Sequence, residues 1–171
     1  MSFHLSDMDQ ITPTIYLGNL ASSTNVAKLK ELGIKKVLSV MDIGAPNYGE
    51  EKNFNHKVVR VCDIPSENII QYFGDCLNFI KGEEKVLVHC MAGASRSASI
   101  VIAYIMWNEK KKLHEVYNIV KEKRFIIFPN PGFKYQLQLF EKELIKYDYD
   151  IDKINFKEIK VEQKSYGSFW S

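Results

Sequence analysis

The chain has 171 residues, of which 46% are hydrophobic, 12% aromatic and 26% charged. Its length suits one globular domain with a single core, and its aromatic content excludes an intrinsically disordered protein. The 23 basic and 21 acidic residues give a net charge of +2, so the overall charge does not indicate a nucleic-acid-binding protein.

The cysteines and the N-terminus indicate where the chain is expected to work. Cys62, Cys76 and Cys90 form neither a paired framework nor a metal-ligand pattern. Residues 1–10 lack a basic segment followed by an apolar stretch, and no apolar run approaches the roughly 18–20 residues that span a bilayer. We therefore expect a metal-free protein of the cytoplasm or nucleus.

The first half of the chain predicts short strands around one helix. Apolar, β-branched runs indicate the strands, and a helical stretch ends at Gly33, with Ser23 or Thr24 as its cap. The predicted elements are a strand over 14–17, a helix over 23–32, a strand over 34–40, a loop over 41–55 and a strand over 57–61.

The second half predicts one strand among four helices. Ser66 is the expected cap of the first of these helices, and Gly82 ends it. The predicted elements are a helix over 67–80, a strand over 85–89, helices over 97–107 and 113–123, a turn over 129–132 and a helix over 133–146. Strands that alternate with helices predict a single-domain α/β fold, with a mainly parallel central sheet flanked by helices.

The loop between the strand over 85–89 and the next helix has the features of an anion site. Residues 88–97 read VHCMAGASRS, and anions bind where a helix begins beyond the carboxyl end of a strand. Backbone N–H groups of a tight loop converge on one anion, and small side chains let the backbone come close. The predicted phosphate-binding residues are Met91, Ala92, Gly93, Ala94, Ser95 and Arg96.

Cys90 and Arg96 are the residues that this loop equips for phosphoryl transfer. The N–H dipoles and the positive end of the helix favour the thiolate of Cys90, which is a strong nucleophile. Arg96 lies six residues later and offers N–H groups in one plane to two phosphate oxygens. We therefore predict attack by Cys90, a cysteinyl-phosphate intermediate and its hydrolysis.

The leaving group needs an acid from outside the loop. Asp63 follows the strand over 57–61, and parallel strands bring their carboxyl ends to one sheet edge, so Asp63 is the candidate acid and base. Glu67 and Asp42 are the competing carboxyl groups. Ser97 follows the arginine directly, and its hydroxyl can reach back to the Cys90 sulfur.

The stretch HCMAGASRS resembles the signature loop of the protein tyrosine phosphatase superfamily, and its AGASRS part followed by ASIVIAYIM resembles the small dual-specificity phosphatases. Three further stretches resemble that family: TPTIYLGNLASSTNVAKLKELGIKKVLSV, VCDIPSENIIQYF and PNPGF. The resemblance implies that Cys90 is the nucleophile, Arg96 the phosphate ligand and Asp63 the general acid and base. It also implies that Ser97 assists breakdown of the intermediate.

The same resemblance assigns supporting residues and cofactors. It implies that His89 tunes the thiolate, that Asn130 supports the loop network and that the enzyme needs neither metal nor organic cofactor. It covers residues 11–146 as the catalytic domain, between an N-terminal extension over 1–10 and a tail of unknown role over 147–171. The tail has no clear period, but Ile151, Ile154 and Phe156 make it too apolar to hang free, so we expect it to add a strand or to pack on the surface.

The implied function is a protein phosphatase for phosphotyrosine and phosphoserine or phosphothreonine. Expected partners are phosphoproteins, with phosphate, sulfate or vanadate as occupants of the site, no nucleic acid, no membrane span, and a monomer or weak dimer. Two alternatives remain open: a phosphatase for phosphoinositides, RNA 5′-phosphates or phosphoglycans, and an inactive phosphoprotein-binding module. Neutral residues at 91–94 count against phosphoinositides, and the presence of both Cys90 and Arg96 counts against the module.

Three other features are open to two interpretations. Cys62 is either a small packed side chain or the partner of Cys90 in a reversible disulfide. His56 is interpreted as an ordinary surface or core residue. The basic residues are interpreted as a solvated face or as an attraction for acidic substrates, and they comprise residues 110–112, Lys121, Lys123 and Arg124.

Overall fold

The computed structural model describes residues 5–49 and 53–162. Its strands are β1 (Met8–Gln10), β2 (Ile15–Gly18), β3 (Lys36–Val40), β4 (Asn55–Val59) and β5 (Val86–His89). They form one five-stranded sheet in the order β1-β2-β5-β3-β4, in which β1 and β2 are antiparallel and the other pairs are parallel. The expected α/β fold with a mainly parallel sheet is confirmed.

Helices cover both faces of the sheet. They are α1 (Leu20–Thr24), α2 (Val26–Glu31), α3 (Phe73–Ile80), α4 (Arg96–Asn108), α5 (Leu113–Lys123) and α6 (Pro131–Lys146). Alternate residues of a strand point to opposite faces, so Val37 and Leu87 pack with Leu29 of α2 while their neighbours Leu38 and Val88 join the larger core with α3 to α6. Burial on both faces explains why β2, β3 and β5 are mostly apolar, with Lys36, Ser39 and His89 as their buried polar residues.

The parallel register brings three chain segments to one edge of the sheet. His89 at the end of β5 lies opposite Gly18 of β2 and Ser39 of β3, and Val40 lies opposite Val59 of β4. The segments that follow β3, β4 and β5 therefore leave the sheet side by side. This edge is where ligands bind in open α/β sheets.

Two predicted helix starts are wrong. The helix expected over 23–32 is two short helices, capped by the side chains of Asn19 and Asn25 and not by Ser23 or Thr24. An asparagine side chain accepts from the first free backbone N–H groups of a helix as well as a hydroxyl does. The helix expected from 67 begins at Phe73, after a single 3₁₀ turn, so Ser66 is not its cap.

The segments outside 11–146 also pack on the domain. Met8–Gln10 adds an edge strand that the sequence analysis did not predict, because three residues carry no usable periodicity. In the tail, Ile151 and Ile154 are buried in the core, and the indole of Trp107 donates to the Tyr149 carbonyl at 3.0 Å. Up to residue 162 the tail forms a 3₁₀ turn and packs on the surface without adding a strand, and residues 163–171 lie outside the described part.

Across residues 5–49 and 53–162, every helix is too short or too polar to cross a bilayer.

Candidate active site

Residues 90–95 form a loop whose carbonyl groups all face outward. Each of these carbonyls accepts a hydrogen bond from a group outside residues 90–95. In chain order, from the carbonyl of Cys90 to that of Ser95, the donors are His89 Nδ1, Leu20 N, Arg124 Nη2, Arg124 Nε, Phe128 N and Ser99 N. Because a peptide unit points its N–H opposite to its carbonyl, the loop presents its N–H groups to the interior. The sequence predicts an anion-binding loop at these residues, and the structure shows which donors fix the direction of its carbonyl groups.

The sulfur of Cys90 lies inside this loop. The thiol is buried, with 2% of the residue exposed, and it accepts from the Gly93 N–H at 3.3 Å and lies 3.1 Å from the Ser97 hydroxyl. Gly93 has φ of +67°, and a Cβ there would lie 2.5 Å from the Gly18 carbonyl oxygen. Only glycine suits this conformation at this close approach. An N–H group and a hydroxyl thus surround the sulfur inside the loop.

Arg96 begins α4 and is buried beside the loop. Its Nη1 donates to Asp42 Oδ1 at 2.9 Å and to the Val61 carbonyl at 3.1 Å, which fixes the plane of the guanidinium. The buried Nε has no hydrogen-bond partner among the described residues, so this N–H is available to donate to an anion in the loop. The hydrogen bond from Arg96 lowers the pKa of Asp42, which keeps that carboxylate charged. Asp42 is thus an orienting partner of the arginine.

Asp63 lies next to the loop through two hydrogen bonds to its Oδ1. The Ser95 hydroxyl donates at 2.7 Å and the Asn130 amide Nδ2 donates at 2.9 Å. The same serine oxygen accepts from the Asn130 backbone N–H at 3.0 Å, so loop, acid and asparagine form one network. Glu67, the competing acid, instead accepts a hydrogen bond from the Cys62 backbone N–H at 3.2 Å. This bond stabilises the segment that carries Asp63.

Residues 63–66, termed the acid segment after the candidate acid Asp63, pack directly on the start of α6. A Cβ at Gly132 would collide with the Pro65 carbonyl oxygen, so this glycine lets the two backbones touch. Asn130 caps the helix, because its Oδ1 accepts from the Phe133 N–H at 3.0 Å, while its Nδ2 holds Asp63. One amide side chain therefore links the position of the helix to the position of the acid.

His89 is the end of a buried hydrogen-bond chain that the sequence analysis did not predict. Its Nδ1 is 3.2 Å from the Cys90 carbonyl, and its Nε2 is 2.6 Å from the Ser39 hydroxyl, which lies 2.8 Å from His56 Nε2. A carbonyl only accepts, so Nδ1 carries the proton, Ser39 donates to Nε2, and His56 donates to Ser39. Burial lowers the pKa of His89 to about 4 and also lowers that of His56. His89 is neutral at physiological pH.

Arg124 corrects the interpretation of the basic residues as one solvated face. It is buried, with 2% exposed, and donates to the carbonyls of Ala92 and Gly93 at 3.2 and 2.9 Å. Its Nη1 also pairs with the Asp9 carboxylate of β1 at 2.7 Å. Helical spacing in the sequence indicates that Arg124 is buried. Arg124 directly follows α5 and lies four residues after the buried Val120, so it continues the apolar stripe of that helix.

The remaining candidates lie outside this network. Cys76 is buried in the core, as expected, and burial raises the pKa of its thiol to about 12. Cys62 is half-buried, and burial beside Glu67 raises the pKa of its thiol. Its disulfide with Cys90 stays a prediction. Within the described ranges, no group of three His, Cys, Asp or Glu side chains is arranged to hold a metal ion.

Comparisons with known proteins agree with this geometry. The family model described as dual specificity phosphatase, catalytic domain, matches residues 15–143. The chain is 35% identical over 146 residues to dual specificity protein phosphatase MPK-4 of Drosophila melanogaster, covering 82% of this chain and 38% of that protein, so it spans well under half of that relative. It is 36% identical over 142 residues to dual specificity protein phosphatase 1B of Arabidopsis thaliana, covering 81% of this chain and 84% of that protein.

Among solved structures, the human tyrosine phosphatase-like serine/threonine/tyrosine-interacting protein superposes with a TM-score of 0.76 at 36% identity, covering 81% of this chain and 97% of that one. That name describes a phosphatase-like interacting protein. The fold alone therefore does not decide between catalysis and binding, and the decision depends on the reactive side chains.

Proposed function

The chain belongs to the dual specificity phosphatase family, and on that premise we propose that it hydrolyses phosphate monoesters of proteins through a cysteinyl-phosphate intermediate. One observation carries this proposal. The buried Cys90 sulfur lies inside a ring of inward N–H groups, and a serine of the same ring holds the Asp63 carboxylate. Nucleophile, phosphate donors and acid thus belong to one connected network.

In the first step the Cys90 thiolate attacks phosphorus and the bond to the substrate oxygen breaks. The loop N–H groups and the Arg96 guanidinium bind the equatorial oxygens, where charge is redistributed in the transition state. Asp63, in its protonated form, donates its proton to the leaving oxygen. Its Oδ1 already accepts two hydrogen bonds, so the transferable proton belongs on Oδ2.

In the second step a water molecule attacks the phosphorus of the cysteinyl-phosphate and the S–P bond breaks. The Asp63 carboxylate accepts the proton of this water, which restores the acid. The Ser97 hydroxyl, 3.1 Å from the sulfur, donates a hydrogen bond to the departing thiolate. His89 and Asn130 act as positioning residues, because they contact the loop and the acid and not the reacting atoms.

Protein substrates are favoured over other phosphate esters by the uncharged side chains at 91–94, since a polyphosphorylated lipid headgroup would need extra cations there. The three cysteines are all free, which suits the reducing cytoplasm or nucleus. Phosphotyrosine and phosphothreonine are both proposed substrates.

The test is turnover of p-nitrophenyl phosphate and of a phosphotyrosine peptide, without added metal. We expect Cys90→Ser to be inactive and Asp63→Asn to lose roughly 10²–10⁴-fold in kcat on the peptide, with a smaller loss on nitrophenyl phosphate, whose leaving group needs little protonation. Ser97→Ala should slow the second step, so a burst of nitrophenol should precede the steady state.

Two matched controls separate these roles from nonspecific damage. Cys62→Ser changes a cysteine outside the loop, and Glu67→Gln changes a neighbouring carboxyl group while keeping an acceptor for the Cys62 N–H. Both should remain active. A folded, reduced wild type that binds the phosphopeptide without turning it over would overturn the proposal in favour of a binding module.

A further inference from the structure

The segments that build the phosphate site carry apolar side chains that face solvent. Among the large apolar residues exposed in the described structure, four lie on the segments that build the site: Ile43 at 72%, Phe128 at 60%, Ile64 at 49% and Met91 at 49% exposed. A single exposed apolar residue is ordinary, but a group of them around a pocket is typical of an interaction site.

Two members of the group lie beside carboxylates of the site. Ile43 follows Asp42, which binds Arg96 at 2.9 Å, and Ile64 follows Asp63, which binds a hydroxyl of the phosphate loop at 2.7 Å. Adjacent Cα atoms are only about 3.8 Å apart. Both isoleucines are therefore next to groups that contact the phosphate loop.

The other two members adjoin the loop itself. Met91 directly follows the nucleophile Cys90, and the backbone N–H of Phe128 donates to the Ala94 carbonyl at 2.7 Å. The Lys134 ammonium lies 3.9 Å from the centre of the Phe128 ring, which orients the ring while leaving most of it exposed. Four separate chain segments thus each contribute one exposed apolar side chain next to the phosphate loop or next to a residue that contacts it.

We propose that Ile43, Ile64, Met91 and Phe128, termed the apolar rim, bind apolar side chains that flank the phosphorylated residue of a protein substrate. This inference rests on the proposed function. The pocket binds the phosphate, so the substrate chain on either side must cross the rim, where apolar neighbours lose contact with water. The substrate class is a phosphoprotein segment with aliphatic or aromatic residues directly beside the phosphoresidue.

A lipid surface fits the rim less well than a peptide. The carboxylates of Asp42 and Asp63 lie directly beside two rim residues, and the bond from Arg96 keeps Asp42 charged. Anionic phospholipid headgroups would be repelled by the charge of Asp42. A peptide with neutral, apolar flanks has no such cost.

The test compares two phosphotyrosine peptides of equal length, one with Leu and Val and one with Ser on both sides of the phosphotyrosine. We expect the apolar peptide to have roughly a tenfold higher kcat/KM, which corresponds to about 1.4 kcal/mol. Phe128→Ser and Ile43→Ser should each reduce this ratio at least about threefold. The two kcat/KM values are compared within one enzyme variant. A change in the rate of the chemical step affects both values equally and therefore cancels in their ratio.

Ile145→Ser is the matched control, because Ile145 is equally exposed but lies roughly 22 Å further along α6 than Asn130. It should leave the ratio unchanged. Equal kcat/KM for the two peptides in an active wild type would overturn the rim proposal alone. Inactivity on every peptide would instead overturn the proposed function. Faster turnover on vesicles containing a phosphoinositide, lost in the rim variants, would reassign the rim to a membrane.

Discussion

The phosphate loop and the acid segment are held in different ways. The Cys90 thiol is buried inside its loop, and every carbonyl from residue 90 to 95 is bonded to a group that sets its direction. Asp63 is exposed, and two hydrogen bonds from other segments hold its carboxylate. A nucleophile pocket works through fixed dipoles, whereas a general acid must exchange protons with water and reach different leaving groups. The proposed nucleophile is therefore enclosed, and the proposed acid is open to solvent.

The largest expected effect concerns the bracing of the loop. Arg124→Met removes the donors to two loop carbonyls and leaves the Asp9 carboxylate without its cation, so we expect a loss of roughly 3–5 kcal/mol in the free energy of unfolding. Urea denaturation measures the loss. Lys123→Met, at the exposed neighbouring position, is the control and should change little. Equal stability of the two variants would mean that the loop does not depend on this brace.

The second prediction concerns acid sensitivity on the loop side. The pKa of His89 is about 4 in the folded protein and about 6.5 in an unfolded chain. As the pH falls from about 6.5 to 4, the unfolded state binds this proton first, so up to roughly 3 kcal/mol of stability present at neutral pH is lost. His89→Gln should flatten the curve of unfolding free energy against pH, while the exposed His114→Gln should not. Identical curves for both would contradict the assignment.

The third prediction separates the two tasks of Asn130 on the acid side. Asn130→Ala should lose the helix cap, costing about 1 kcal/mol, and should lower turnover of a phosphopeptide roughly tenfold by releasing Asp63. Asn130→Asp keeps a cap acceptor but has no amide donor and adds a repelling charge. It should therefore keep the stability and lose the activity. Normal activity in Asn130→Asp would show that Asp63 is held by Ser95 alone.

The smallest expected effect concerns the chain from His56 to His89. Ser39→Ala leaves the buried Nε2 of His89 without its donor, which we expect to cost about 1–2 kcal/mol of stability and roughly threefold in kcat. His56→Phe removes the outer bond only and should cost less. Thermal unfolding and nitrophenyl phosphate kinetics measure both. A larger loss in His56→Phe than in Ser39→Ala would reverse the proposed order of the chain.

The two regions also differ in how far the sequence predicts them. The helix α5 is found at the predicted residues 113–123, and β5 begins one residue after the predicted start, because both have clear local periodicity. The local sequence pattern does not predict the break at residues 23–32, where Asn25 separates two helices. It also does not predict β1, whose pairing with β2 depends on partners six to ten residues away. Arg124 is buried although its charge predicts a place on the solvated face, because it continues the apolar stripe of α5.

The order of residues by itself determined the nucleophile loop. Cys90, the small residues after it, Arg96 and Ser97 are contiguous, so one turn between a strand and a helix suffices to bring them together. The tertiary structure alone decided which groups direct the loop carbonyls outward, which carboxylate orients the arginine and which donors hold Asp63. Most of these contacts join residues far apart in the chain: Gly93 and Arg124 are 31 positions apart, Ser95 and Asp63 32, Arg96 and Asp42 54, and Asn130 and Asp63 67. The packing of helices on the sheet sets these distances, and a local sequence pattern does not.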